Sequence, residues 1–276
     1  MDSLPLFKLS VSSVTAELLT SYYVAYYIAT VEEHYVEHYG PTQRLELNDP
    51  YLSTNRATVI RTGPDGIVLD RSCIYLGGGG QPHDTGKILR ENKEFLITNV
   101  KKVEGNAYLT LSEDGSDHLQ PGDDVEVAVD FERRYQLMRT HTAMHLVAAV
   151  LNKIVDAPVS GSAMEPLSGR LDFDLGSLSM PPTEELSEMC NLEVQAAREL
   201  RWYHISADDQ SDDLIKTAAN LLPKGLTHIR IVEIEGLDRQ ADGGTHVKNT
   251  SEIGKISIDK VESKGKGFKR VRISLS

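Results

Sequence analysis

The chain has 276 residues, 40% hydrophobic and 25% charged, which suits one large or two modest folded domains and argues against wholesale disorder. Its net charge of −12, from 41 acidic and 29 basic residues, argues against a protein that coats nucleic acid or anionic lipid by bulk charge. The exception is local: residues 255–276 hold seven Lys/Arg against Asp259 and Glu262, so this tail carries +5 and the remainder −17. Two cysteines, Cys73 and Cys190, cannot build a disulfide framework, which points to a reducing, cytoplasmic setting. Asp2 and Pro5 stand where a secretory leader would be basic. Residues 18–31, the longest uncharged stretch near that end, are too few and too polar to span a bilayer, so no membrane is expected.

Residues 1–46 read as an extension of their own. Tyr22, Tyr23, Tyr26 and Tyr27 recur at helical spacing, and Gly40-Pro41 stops the helix. Such an aromatic stripe is a packing face, in the core or between copies of a homo-oligomer. From 47 to 131 the pattern turns to strands. Residues 57–61 and 67–70 flank the turn Gly63-Pro64-Asp65-Gly66, and 95–103 and 108–112 flank Glu104-Gly105-Asn106. With 124–131 as a further strand, the spacing predicts a small β-barrel. From 132 to 276 the chain is mixed. Helices are expected over 133–155, from Pro181-Pro182-Thr183 to about 200, and over 208–222. Strands are expected over 169–175, 228–235, 245–249, 255–261 and 268–275, an α+β domain.

The strongest constellation is His141-Thr-Ala-Met-His145 with Asp242-Gly-Gly-Thr-His246. Side chains at i and i+4 share a helix face, so His141 and His145 can meet one metal. Three imidazoles and a carboxylate are an acceptable donor set for zinc. The run Gly77-Gly-Gly-Gly-Gln-Pro-His-Asp-Thr-Gly86-Lys87 fails as a P-loop, because Gln81 stands where the first glycine belongs and Ile88 follows the lysine. What it offers is close backbone approach to a ligand or helix. His34-Tyr-Val-Glu37-His38 matches the inverted zinc-peptidase pattern, though beside Gly40-Pro41 and without a third ligand nearby. No Gly-x-Ser-x-Gly elbow occurs, and both cysteines read as small core residues. Lys264, Lys266, Lys269 and Arg270 around Phe268 are either phosphate contacts or a solvated hairpin.

Together these segments resemble the AlaX-type trans-editing proteins, relatives of the alanyl-tRNA synthetase editing domain. The matching pieces are Asp49-Pro-Tyr-Leu52, Gly78-Gly-Gly-Gln-Pro-His-Asp-Thr-Gly86, Met138-Arg-Thr-His-Thr-Ala-Met-His-Leu146, Arg170-Leu-Asp-Phe-Asp174 and Gly243-Gly-Thr-His-Val-Lys-Asn-Thr-Ser-Glu-Ile-Gly254. The resemblance runs from about residue 48 and leaves 1–46 outside. It implies a β-barrel bearing the glycine motif, followed by an α+β editing domain. It implies an aminoacyl-tRNA deacylase acting on seryl- and in some members glycyl-tRNA(Ala), with zinc on His141, His145, Asp242 and His246. Asp242 departs from the family, which has Cys there. A harder ligand at that place leaves a second reading, a weakened homologue that binds tRNA or a partner. A peptidase built on His34, Glu37 and His38 is the third. Catalytic candidates are Asp242, Gln81 and Thr140. Candidates for the substrate are Gly78, Gly79, Gly80, Gln81, Ser160, Ser162 and the basic tail.

Overall fold

The computed structural model describes residues 37–112, 115, 118–155, 157–209, 211, 214–216 and 225–276. The tyrosine stripe from Tyr22 to Tyr27 and His34 lie outside them. Within the extension, residues 38–44 form a hairpin rather than a helix. Strands β1 (His38–Tyr39) and β2 (Thr42–Arg44) pair across Gly40-Pro41, with Gly40 at φ +58. A positive φ followed by proline suits a tight turn, so Gly40-Pro41 turns this hairpin, and the helix it was expected to stop falls outside the described residues.

Next come β3 (Thr54–Gly63), β4 (Gly66–Leu69), β5 (Arg71–Ser72), β6 (Gly86–Arg90), β7 (Lys93–Val103), β8 (Asn106–Leu111) and β9 (Asp124–Val129). All but β5 close into a barrel in the order β3-β4-β8-β7-β6-β9, while β5 pairs in parallel with β2. Alternate side chains fill the barrel: Val59, Ile67, Leu69, Ile88, Phe95, Ile97, Leu109, Val125 and Val127 are buried together. Cys73 joins this core and Cys190 the other, and burial pushes both thiols up to about 12, which leaves them unreactive.

Helix α1 (Phe131–Val155) follows directly, and Asp130 caps it by accepting from the Arg133 N–H. Leu137 and Met138, and then every residue from Thr140 to Leu151, are buried, so this helix is a central element rather than a surface one. On it packs the antiparallel sheet β10-β11-β16-β15, made of β10 (Val159–Glu165), β11 (Ser168–Asp174), β15 (Ile256–Gly265) and β16 (Phe268–Leu275). Helix α2 (Thr183–Gln195) guards the open edge of β15. Asn191 exchanges two side-chain bonds with the Ile256 backbone, and Ser187 accepts from the Ile258 N–H.

The predicted second helix ends sooner than its pattern suggests. It stops at Gln195, Ala197 adopts φ +50, and Leu200–Ser206 becomes strand β12. With β13 (His228–Ile234) and β14 (Asp238–Ala241) it forms a second antiparallel sheet. Of the third predicted helix, the described part is a 3-10 turn at Ala207–Asp209 and isolated residues beyond it. Residues 245–249 do not form a strand. Their N–H groups go to side chains: Thr245 to Gln81, Val247 to Thr142, Lys248 to Tyr51 and Glu252. Among the described residues no helix is long and apolar enough to cross a membrane.

Candidate metal centre

Helix α1 places His141 and His145 one turn apart, and the segment after β14 brings Asp242 and His246 against them. One ligand atom from each lies within 4.8 Å of the others. Asp242 is the hub: its Oδ1 is 3.0 Å from His246 Nε2, and its Oδ2 is 3.5 Å from His141 Nε2 and 3.7 Å from His145 Nε2.

The surrounding hydrogen bonds decide which ring nitrogens are bare. Thr245 orients the Gln81 amide: its N–H donates to Oε1 at 3.0 Å, and Gln81 Nε2 donates to Thr245 Oγ1 at 2.7 Å. Oε1 is an acceptor, so His141 Nδ1, 3.0 Å away, must donate to it. Thr142 acts likewise on His246. Its hydroxyl hydrogen goes to Met138 O at 2.9 Å, leaving Oγ1 to accept from Val247 N–H at 3.2 Å and His246 Nδ1–H at 3.3 Å. In both neutral rings the Nε2 lone pair therefore faces the Asp242 carboxylate. Lone pairs that converge on a carboxylate repel it unless a cation lies between them. A donor set of three imidazoles and one carboxylate suits a divalent ion of borderline softness.

At His141, His246 and Asp242 the charge states agree with that reading. Burial pushes His141 well below the usual imidazole range and His246 down to about 4, despite the attraction of Asp242. Burial also opposes charge on His145, but hydrogen bonds to Asp238 and Asp242 outweigh it and raise this ring to about 9. Burial works against an ionised Asp242 as well; the imidazoles, His141 first, outweigh it and hold the carboxyl well below the carboxylate range. Ionised Asp and neutral His are the forms a metal takes, so a metal bound here would displace a proton from His145.

Two further residues shape the loop. Arg230 of β13 donates to Asp242 O at 3.1 Å and Gly244 O at 2.9 Å, and Gly244 N–H donates to Asp242 Oδ1 at 2.6 Å. A Cβ on Gly244 would fall on His141 Cε1 and lie 2.8 Å from Gln81 Oε1. Gly244→Ala is therefore expected to cut any affinity of this cluster for a divalent metal by about tenfold or more, in a protein whose far-UV circular dichroism is unchanged. Titration against a chelating dye measures it, and parental affinity would remove the steric argument.

The other sequence candidates differ in their surroundings. Gln81 is buried and committed to His141 and Thr245. Beside it, Gly78, Gly79 and Gly80 form the exposed tip of a tight turn. Gly79 and Gly80 have φ of +58 and +88, which glycine adopts without strain. A Cβ on Gly80 would lie 2.6 Å from Ser162 Oγ, so the barrel loop abuts β10. The single hydroxyl hydrogen of Thr140 has Gln136 O at 2.9 Å and Glu165 O at 3.3 Å within reach, at the contact of helix and strand. Ser160 is exposed and donates to Asp172 O. Arg270 is held by both oxygens of Asp172, at 2.6 and 2.7 Å, whereas Lys264, Lys266 and Lys269 have no acidic partner within ion-pair distance among the described residues. Of the peptidase pattern, Glu37 binds Arg44 and His204 and His38 is in a strand, so neither is on a helix. Thr142, Arg230, Asp238 and Gln240 escaped the sequence reading. Each carries a local signal: Thr142 lies between the paired histidines, Arg230 is a cation in an apolar strand, and Asp238 and Gln240 alternate with Asp242.

Comparison with known proteins accounts for both halves. Residues 31–133 match the family model of class II (A) tRNA synthetases, and 229–272 match the threonyl and alanyl tRNA synthetase second additional domain. The first match reaches into the segment that the sequence alone set apart. An alanyl-tRNA editing protein AlaX-M of Methanosarcina mazei is 36% identical over 85% of this chain and 96% of its own length. That of Saccharolobus solfataricus is 37% identical over 83% of this chain and 97% of its own. The alanine–tRNA ligase of Methanothermobacter thermautotrophicus is 30% identical over 86% of this chain, which spans 26% of the ligase. By identity and by near-complete mutual coverage, this chain belongs to the AlaX-M family of alanyl-tRNA editing proteins.

Proposed function

We propose that this protein is a cytoplasmic deacylase that removes serine and glycine from mischarged tRNA(Ala) in trans, with zinc held by His141, His145, Asp242 and His246. The observation that carries the reading is the convergence of three imidazole nitrogens and a carboxylate within 4.8 Å, in a chain alike to editing proteins over their whole length. Residues 47–131 and 132–276 would be its barrel and editing domains.

Bound zinc would supply Lewis acidity at the ester carbonyl. The chain's own residues prepare that chemistry. Gln81 and Thr142 keep protons on the far nitrogens of His141 and His246, which holds the inner lone pairs ready. Asp242 has two candidate roles, ligand and base. Its carboxyl sits well below the usual range, so it is a poor proton acceptor and a good anionic ligand. Gln81 is buried behind His141, which makes it a positioning residue rather than one that touches the substrate. Ser162, whose hydroxyl abuts the glycine turn at Gly80, is the proposed partner of the seryl hydroxyl. A site that hydrogen-bonds a substrate hydroxyl rejects the analogue without it, which separates seryl from alanyl esters. Lys264, Lys266 and Lys269 are the free cations for tRNA phosphates, and Arg270, neutralised by Asp172, contributes less.

The test is deacylation of seryl-, glycyl- and alanyl-tRNA(Ala) by the full chain, with and without chelator. Seryl and glycyl esters are expected to be cleaved faster than alanyl, with activity lost on chelation and restored by zinc. Absence of turnover by metal-replete protein would leave a tRNA-binding module, the reading that Asp242 in place of Cys favours.

A further inference from the structure

Strand β14 runs directly into the metal loop, and its period of two puts Asp238 and Gln240 on the face that Asp242 continues. All three look at His145. Asp238 Oδ2 is 3.6 Å from His145 Nδ1, and Gln240 Nε2 is 2.7 Å from that same oxygen and 2.8 Å from Nδ1. A carboxylate only accepts, so the Gln240 atom facing it must be the amide nitrogen. The two groups beside Nδ1 thus have opposite demands: the amide N–H can only donate to it, and Asp238 can only accept from it.

This sets His145 apart from its partners. His141 and His246 have their Nδ1 protons taken by Gln81 and Thr142, acceptors that favour a bare Nε2. In His145, the Gln240 bond favours the other tautomer, with a proton on Nε2 facing Asp242 at 3.7 Å. Ligation through Nε2 requires the proton on Nδ1, and Asp238 is the neighbour able to take it. The geometry points to Asp238 as the positioning residue that readies His145 for the metal, with Gln240 as its counterweight. Closing the 3.6 Å gap and turning the amide aside is the local change that ligation needs. This inference rests on the metal reading above.

Zinc affinity of the full chain, measured by competition with a chelating dye, tests it together with the visible spectrum of the cobalt-substituted protein. Asp238→Ala is expected to weaken zinc binding by about 10–100-fold and to alter the cobalt bands, while the far-UV circular dichroism of the metal-free protein stays parental. Gln240→Met, which keeps length and removes the N–H, is expected to bind at least as tightly as the parent. If Asp238→Ala does not fold, Asp238→Asn replaces it and is expected to weaken binding, since the charge is gone. A variant at Asp238 with parental affinity overturns the inference, as does a Gln240→Met loss as large as that of Asp238→Ala, which would mark a plain structural bridge. A parent chain that takes up no zinc overturns the metal reading and this inference together.

Discussion

Arg134→Met is expected to destabilise the protein by about 3–5 kcal/mol, the cost of leaving one member of a buried ion pair alone. Arg134 has no exposed surface, and its guanidinium meets both oxygens of Asp84, which is 1% exposed. It also donates to Pro50 O at 3.0 Å and Cys73 O at 2.6 Å. One side chain on the first turns of α1 thus holds the barrel at three places. Asp84 in turn accepts from the Tyr75 N–H at 2.6 Å and closes the base of the loop whose tip is Gly78–Gly80 and whose next residue is Gln81. Methionine fills the volume but leaves a carboxylate buried without its partner. The remedy is to remove that charge: adding Asp84→Leu to Arg134→Met should cost no more than Arg134→Met alone, although Tyr75 N–H then loses its acceptor. Urea unfolding of the two single variants and the double variant measures this. Additive losses would mean that the pair is not coupled.

That strut was invisible in the sequence, where Arg134 and Asp84 are fifty positions apart in segments of unlike character. Local devices were legible. The turns at 63–66 and 104–106 carry their own chemistry, and both hairpins form where turn residues separate apolar alternation. The long helix was legible because nothing interrupts it between Asp130 and Val155. Failures came where tertiary partners replaced local ones. Residues 193–200 continue a helical pattern, yet Ala197 takes a positive φ without a glycine to announce it, and the Leu200–Ser206 strand is decided by pairing with β13. Thr245–Asn249 looks like a strand, but its backbone bonds are met by Gln81, Thr142, Tyr51 and Glu252, all remote in sequence. Strand β14 is four mostly polar residues with no hydrophobic signal. The cluster was readable because His141 and His145, and likewise Asp242 and His246, stand four apart. The groups that surround it were not, because Gln81 from the glycine loop, Thr142 from α1, and Asp238 and Gln240 from β14 meet only in the fold.

Asp242 is where the largest functional effect is expected. Asp242→Ala should lower zinc affinity by more than about 100-fold, beyond the ~10–100-fold cost of losing an outer partner, and deacylation with it. Its carboxylate does two jobs at once. Oδ2 faces His141 and His145, and Oδ1 faces His246 while taking the Gly244 N–H that turns the loop. Asp242→Cys separates the two. A thiolate is the softer and more strongly donating ligand, which raises the preference for zinc over manganese. It also loses the 2.6 Å bond to Gly244, which loosens the turn. Direct ligation is the stronger effect, so the cysteine variant should hold zinc at least as tightly as the parent and discriminate more sharply against manganese. Paired competition titrations with the two metals read both quantities. The consequence for chemistry runs the other way. With zinc bound as proposed, a carboxylate would give it less charge than a thiolate and would leave it more Lewis acidity for the ester carbonyl, so Asp242→Cys should bind well but deacylate no faster. Should Asp242→Ala keep both its zinc and its deacylation, the carboxylate has neither role, and the histidines alone would have to account for the site.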